Sequence, residues 1–310
     1  MYEPILIGLR TATTIGDDRG MAKPTLGITG ASGQLATGVL RYLLVQETGG
    51  IVAVTRTPDK TSQTGGARVQ VRRGDFDDER SLVEAFTGID RLLLIPATDL
   101  TPGVRPRQHQ AAVNAAKAAG VKHIIYVSSV GARPGPVDGL LETHFVTEQA
   151  VIASGLPWTL IRMNIYADSQ LDALRRAVAS GVHAAADGAP YAYVVRDDLA
   201  RLTAAVLGSE GHAGVTFHGT GPASVTQEQL AAAVSKAMGV PIRFQPLNKE
   251  AGAAGLAAAG LPPFLVDVLG RFQQAGREGA FDLVSGDVAR LTGKPPRLAT
   301  DFVAERLKST

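Results

Sequence analysis

Gly27-Ile28-Thr29-Gly30-Ala31-Ser32-Gly33 is a G-x-x-G-x-x-G run, entered from the apolar segment 25–28 and followed by Gln34-Leu35-Ala36-Thr37-Gly38-Val39-Leu40, which reads as a helix opening. A strand, a tight glycine turn and a helix N-terminus in that order make an anion site. Backbone N–H groups and the positive end of the helix dipole converge there. Glycine lets the backbone approach a phosphate closely, or turn where a Cβ would be strained. The spacing points to the pyrophosphate of a dinucleotide.

Outward from this turn, the helix is expected over 34–45, followed by Ile51-Val52-Ala53-Val54, a continuous apolar run suited to a strand buried on both faces. The run ends at Thr55-Arg56-Thr57-Pro58. An acidic residue near this strand's end holds ribose hydroxyls in sites that prefer NAD, whereas an arginine suits the extra phosphate of NADP. Arg56 has no Asp or Glu beside it, so NADP (NADPH) is the expected cofactor. A third strand over 69–71 leads to Gly74-Asp75-Phe76-Asp77-Asp78, with Asp78 the expected N-cap of a helix over 79–86. Asp75 and Phe76 are placed against the adenine, as acceptor and apolar edge. A fourth strand over 91–95 ends at Pro96-Ala97-Thr98, small residues that let a cofactor pass close by. In the helix expected over 108–119, His109 and Asn114 read as packing or surface residues. The fifth strand, 124–127, ends in Ser128-Ser129. Repeated β-then-α units of this length imply an α/β fold with a Rossmann doubly wound parallel sheet.

Composition narrows the function. The chain has 310 residues, 45% hydrophobic and 19% charged, which is a globular mixture. Its net charge of +2 is interspersed, without the clustered Lys and Arg that a phosphate-tracking surface needs, so no nucleic-acid partner is expected. No stretch has the length of a transmembrane helix, and the segment around Ile5-Leu6-Ile7 is broken by Glu3, Pro4 and Arg10, so neither membrane insertion nor a signal peptide is expected. The absence of cysteine excludes disulfides and thiol chemistry and suits the cytoplasm. The six histidines are scattered, so no metal site is expected.

Further along, a helix over 142–153 and a sixth strand over 158–161 lead to Arg162-Met163-Asn164-Ile165-Tyr166, a polar-aromatic exit. A short helix is expected over 171–179, and Asp197 is read as the cap of the next. Thr226-x-x-Gln229 reads as a capping box. The Ala- and Gly-rich stretch 251–269 reads as a mobile, mostly apolar segment over a pocket.

Together these residues resemble the NmrA-like branch of the short-chain dehydrogenase/reductase superfamily, in particular its NAD(P)H:quinone oxidoreductase and triphenylmethane reductase members. The resemblance is carried by Thr29 to Leu35, Arg56 with Pro58, Gly74-Asp75-Phe76, Ser128-Ser129, His144-x-x-Thr147-Glu148 and Leu160-Ile161-Arg162-x-Asn164-x-Tyr166. Arg196-Asp197-Asp198-Leu199-Ala200 and Leu291-Thr292-Gly293-Lys294-Pro295-Pro296 extend it. It implies that Gly27 and Thr29 to Leu35 hold the pyrophosphate, that Arg56 holds the ribose phosphate, and that Pro96 to Thr98 lie beside the nicotinamide half. Where ordinary members of the superfamily carry Tyr-x-x-x-Lys, this chain has His144 and Glu148. His144 is then expected as a donor near the nicotinamide or substrate, Ser128 as a second donor, and Glu148 as an acceptor for ribose hydroxyls. Arg162, Asn164 and Tyr166 are expected to line the substrate pocket.

Losing the Tyr–Lys pair argues against carbonyl/alcohol chemistry, which needs a proton at an alkoxide as hydride moves. A quinone or similar conjugated acceptor spreads the charge and asks less of the protein. The expectation is an NADPH-dependent oxidoreductase acting on such a small molecule, compatible with a homodimer. The alternative is a non-catalytic NAD(P)-binding redox sensor with a regulatory protein partner. The expected division is a tail over 1–21, an NADP-binding domain over 22–165 to which 190–220 returns, and a smaller C-terminal α/β substrate-covering domain from 166–189 and 221–310.

Overall fold

The computed structural model describes residues 23–46, 48–60, 66–188 and 190–309, so the expected tail lies outside it. The first part runs β1 Leu26–Ile28, α1 Gln34–Leu44, β2 Ile51–Thr55, β3 Val69–Arg73, α2 Glu79–Phe86 and β4 Arg91–Leu94. It continues with α3 Val104–Ala118, β5 His123–Ser129, α4 Leu140–Ala153 and β6 Trp158–Met163. Then come α5 Leu171–Ser180, β7 Val182–Ala186, α6 Arg196–Gly208, β8 Val215–Gly219 and α7 Gln227–Met238. The chain ends with β9 Arg243–Leu247, α8 Lys249–Ala258, α9 Pro263–Arg277, α10 Asp287–Thr292 and α11 Ala299–Lys308.

Seven strands form one parallel sheet in the order β3-β2-β1-β4-β5-β6-β8, flanked by helices in the Rossmann manner. The apolar runs are continuous because both faces are covered, and alternate residues serve opposite faces. Ile125 and Val127 of β5 meet α1 and α6, while Ile124 and Tyr126 meet α2, α3 and α4. By the same alternation Ser128 points to the α3–α4 side. α1 buries Leu35, Ala36, Val39, Leu40 and Leu43, one stripe of a helix laid against α6. Among the described residues no α-helix separates β2 from β3, so that crossover lacks the helix a full β-then-α unit implies.

β7 and β9 make a separate two-stranded parallel sheet, backed by α5, α7 and α11 around Leu174, Leu230, Val234 and Val303. α10 leaves that body: Val288 packs in the same core as α1 and α6. The capping box at Thr226 is complete, and Asp78 caps α2 through Ser81 N at 3.1 Å.

One expectation is corrected. α6 begins at Arg196, whose N–H is taken by Asp168 Oδ2 at 2.8 Å. Asp197 lies inside the helix and turns to Arg41 and Tyr42, because a capping partner came from across the fold. The stretch 251–269, expected as a mobile, mostly apolar segment over a pocket, is helical: α8, capped by Asn248, and α9 run through it. The weak periodicity of α8 reflects slight burial, since it buries only Gly252 among its described residues. No described helix is long and apolar enough to cross a membrane.

Candidate cofactor and acceptor site

The glycine turn sits at the carboxyl edge of the sheet, where ligands of open α/β folds bind. Gly30 has φ +62°, and Gly33 N–H closes the turn on the Gly30 carbonyl at 2.8 Å. α1 starts after Gly33 with no side chain capping it, so its first amides face outward beside exposed Ser32 and Gln34. The other residues of the motif shape the turn from within. A Cβ on Gly27 would lie 2.4 Å from the Ile89 side chain. Thr29 is buried, its hydroxyl accepting from Ile95 N at 2.8 Å and tying the exits of β1 and β4 together. Ala31 N–H donates to Val54, and Leu35 is a core residue. The expected set Gly27 to Leu35 thus divides into an exposed rim of Gly30, Ser32, Gly33 and Gln34 and a buried support.

Arg56 is exposed just past β2 and has no hydrogen-bond or ion-pair partner among the described residues. A guanidinium with no hydrogen bond or ion pair, on the strand end beside uncapped helix amides, fits a phosphorylated dinucleotide. Asp75 is half-buried and its Oδ1 accepts from Asp77 N at 3.1 Å, a local turn before α2. Phe76 is half-buried and edge-on to the His109 ring at 6.4 Å.

Behind the loop 96–98 lies a row of buried polar side chains between α3, α4 and the sheet. Ala97 N–H donates to His109 Nε2 at 2.9 Å, so the ring proton sits on Nδ1 and goes to Thr147 Oγ1 at 2.8 Å. Thr147 in turn donates to Thr143 O at 2.8 Å. One turn nearer the start of α3, Arg105 Nη2 donates to His144 Nε2 at 3.1 Å, and His144 Nδ1 is 2.9 Å from Tyr126 Oη. His144 and Glu148 do not pair. Glu148 is 1% exposed and holds Arg162 with both carboxylate oxygens, at 2.8 and 2.6 Å, while Ser128 Oγ donates to it at 2.5 Å. Both oxygens are therefore engaged within the protein, and the Ser128 hydroxyl is spent on Glu148. Arg162 and Glu148 neutralise one another, and Ser128 joins them across β5 and β6.

Burial, then the Arg105 charge, drives the His109 ring down to about 3. Burial, then Arg105 and His109, holds His144 well below the usual imidazole range. Both stay neutral at pH 7. A ring whose folded pKa is depressed contributes stability that is complete above its unfolded value near 6.5 and is lost as pH falls towards 3. Acidification from pH 7 to 4 is therefore expected to destabilise the protein by about 1 kcal/mol per pH unit from His109 below about pH 6. His109→Gln, which keeps an acceptor for Ala97, is expected to flatten that slope in urea melts. An identical slope would remove His109 as its cause.

Arg162, Asn164 and Tyr166 do not converge on one surface. Asn164 is buried, donating to Phe281 O at 2.9 Å and accepting from Ile165 N at 2.8 Å. Tyr166 lies under the Arg196 guanidinium at 4.8 Å, and burial raises its hydroxyl far above the usual range. A cleft of about 510 Å³ runs from Ser32 and Gln34 past Arg196 to Arg297. Sequence reasoning missed Arg105, Tyr126 and Phe281. The only signal was Arg-x-x-x-His at 105 and 109, which puts both residues on one helix face.

Residues 30–210 match the family described as NAD(P)H-binding. The chain is 35% identical to quinone oxidoreductase 2 of Escherichia coli (strain K12), over 90% of this chain and 97% of that protein. A crystal structure described as NADPH-dependent quinone oxidoreductase QOR2 complexed with NADPH, from the same species, superposes with TM-score 0.84 at 34% identity, covering 91% and 99% of the two chains. Triphenylmethane reductase of Citrobacter sp. follows at TM-score 0.82 and 30% identity, covering 92% and 99%. NmrA, a negative transcriptional regulator, shares the fold at TM-score 0.72 and 17% identity, covering 91% and 95%.

Proposed function

Because the chain belongs to the NAD(P)H-binding family, we propose that it is an NADPH-dependent oxidoreductase that passes hydride to a quinone or similar conjugated acceptor. The observation that carries this reading is the exposed rim Gly30, Ser32, Gly33 and Gln34 at an uncapped α1, with unpartnered Arg56 on the adjacent strand end. The likeness to quinone oxidoreductase 2 over almost its whole length supports the acceptor class. NmrA is more distant, so the regulatory reading ranks second.

Bound NADPH supplies the hydride. The rim amides take the pyrophosphate and Arg56 the ribose phosphate. The loop 96–98, fixed through Ala97 by His109, lies beside the nicotinamide half and sets its position. Ser128, His144 and Glu148 belong to the buried polar row between α3, α4 and the sheet, His144 bonded to Tyr126 and Glu148 to Ser128. Residues 166–188 and 221–286 cover the acceptor and exclude water. The absence of cysteine supports a cytoplasmic location.

The purified protein is expected to oxidise NADPH with small quinones, followed by absorbance, well above the uncatalysed rate. Tight NADPH binding without turnover would favour the sensor instead. Arg56→Ala is expected to weaken NADPH about 10- to 100-fold, from one or two lost charge-assisted hydrogen bonds, and NADH little. Equal losses would mean another group reads the phosphate.

A further inference from the structure

Two arginines are buried among the described residues, and they are matched very differently. Arg91, 8% exposed, meets Glu210 at 2.5 Å and the Ser209 carbonyl at 2.5 Å. Arg105, 6% exposed, has no carboxylate partner: its Nη2 meets only the neutral ring of His144, and its Nε has no partner at all. Among the described residues nothing nearby balances the charge. His109 and His144 are neutral, Tyr126 keeps its proton, and the Glu148 carboxylate is consumed by Arg162 and Ser128. A buried, unpaired cation costs several kcal/mol unless an anion meets it.

Its place in the fold says which anion. Arg105 is the second residue of α3, and His144 stands in the first turns of α4. Helices that cross back over a parallel sheet begin at its carboxyl edge, so this pair faces the edge where the loop 96–98 runs. At the start of α3, Val104 N–H is taken by Thr101 O, Pro106 has no N–H and Arg107 N–H goes to Gly103 O, so Arg105 N–H is the amide left over, with no acidic residue in the first turn. We propose that Arg105, through its guanidinium at the start of α3, is the counter-charge for the oxyanion that forms on the acceptor. This rests on the reductase reading. In that reaction the C–H bond at C4 of the dihydronicotinamide breaks, and its hydrogen and electron pair form a new bond to the acceptor. A quinone so reduced is a hydroquinone monoanion, which then takes one proton from water. The negative charge is absent from the substrate and present in the transition state and product. An anion site of this kind lowers the barrier without tightening ground-state binding.

The test uses the intact protein with NADP+, so no hydride is available, and a nitrophenol as a chromophoric stand-in for the hydroquinone. Absorbance reports the ionisation of the bound phenol. In the wild type its pKa is expected to fall by about 1 unit or more relative to water. Arg105→Met is expected to abolish the shift, and Arg105→Lys to retain part of it. Arg105→Met is also expected to lower kcat with quinones about 100-fold while its Tm stays level or rises, because a buried unpaired charge is removed. A bound phenol with its aqueous pKa in the wild type overturns the proposal, as does an equal shift in Arg105→Met. Quinone turnover without a phenol shift overturns the Arg105 role alone. Failure of both turnover and phenol binding overturns the reductase reading on which it rests.

Discussion

Gly30→Val is expected to raise the dissociation constant for NADPH at least about 100-fold while leaving the fold intact. Gly30 adopts φ +62°, and a β-branched residue there is strained by roughly 1–3 kcal/mol. The cost does not come from crowding, because a Cβ at Gly30 would have only the Ile95 side chain near it, at 4.0 Å. It comes from the backbone. Relaxing φ swings the Gly30 carbonyl away from Gly33 N–H, and with it the amides that open α1. Those amides are the anion site, so a small change in stability becomes a large one in affinity. Gly30→Asn, which tolerates the left-handed region, is expected to lose much less. Fluorescence titration with NADPH reads the difference. Equal affinities for the valine and asparagine variants would show that the turn's conformation does not govern binding.

Arg162→Met is expected to destabilise the protein by about 2–3 kcal/mol, the cost of leaving the buried Glu148 carboxylate without its half-buried partner. Glu148 is 1% exposed and would keep only the Ser128 hydroxyl. Removing the carboxylate as well is expected to restore most of the loss, so the double variant Arg162→Met with Glu148→Met should be more stable than Arg162→Met alone. Urea unfolding measures all three chains. A double variant less stable than the single one would mean that packing around β6, and not the unpaired charge, sets the cost. Because Glu148 joins α4 to the ends of β5 and β6, the variants also separate its structural work from any contact with cofactor. NADPH affinity recovered along with stability in the double variant would assign Glu148 to the scaffold.

The parts of the chain that were readable are those whose burial is uniform. Ile51 to Val54 and Ile124 to Val127 are covered on both faces, so their sequence is continuously apolar and marks itself as strand. Asp78 and Thr226 cap the helices that follow them directly, a dependence only a few residues long. β7 and β9 were not readable. His183-Ala184-Ala185-Ala186 lacks bulky alternation, and Pro246 argues against a strand; the two pair only because α5, α7 and α11 bring them together. The cap of α6 is supplied by Asp168, distant in sequence, and no local rule could have chosen it over Asp197. In the site, the glycine turn and Arg56 were legible because their chemistry is carried by spacing. Arg105 was not, since the helix was expected only from Gln108 and Pro106 obscures its earlier start at Val104, and only the fold turns one of the two arginines inward.

The return of α10 to the main core changes what a ribosome must deliver before the cofactor body exists. By residue 165 every glycine-turn and strand-end motif has emerged, but β6 still lacks its neighbour β8 and the α1 face still lacks α6 and Val288. The nascent chain thus carries an open sheet edge and an uncovered apolar stripe through much of its synthesis, the condition that invites misassociation. A fragment ending near residue 165 would hold the whole recognition motif and yet not a finished nucleotide-binding body. The tail up to Thr292 is as much a part of that body as the glycine turn that announces it.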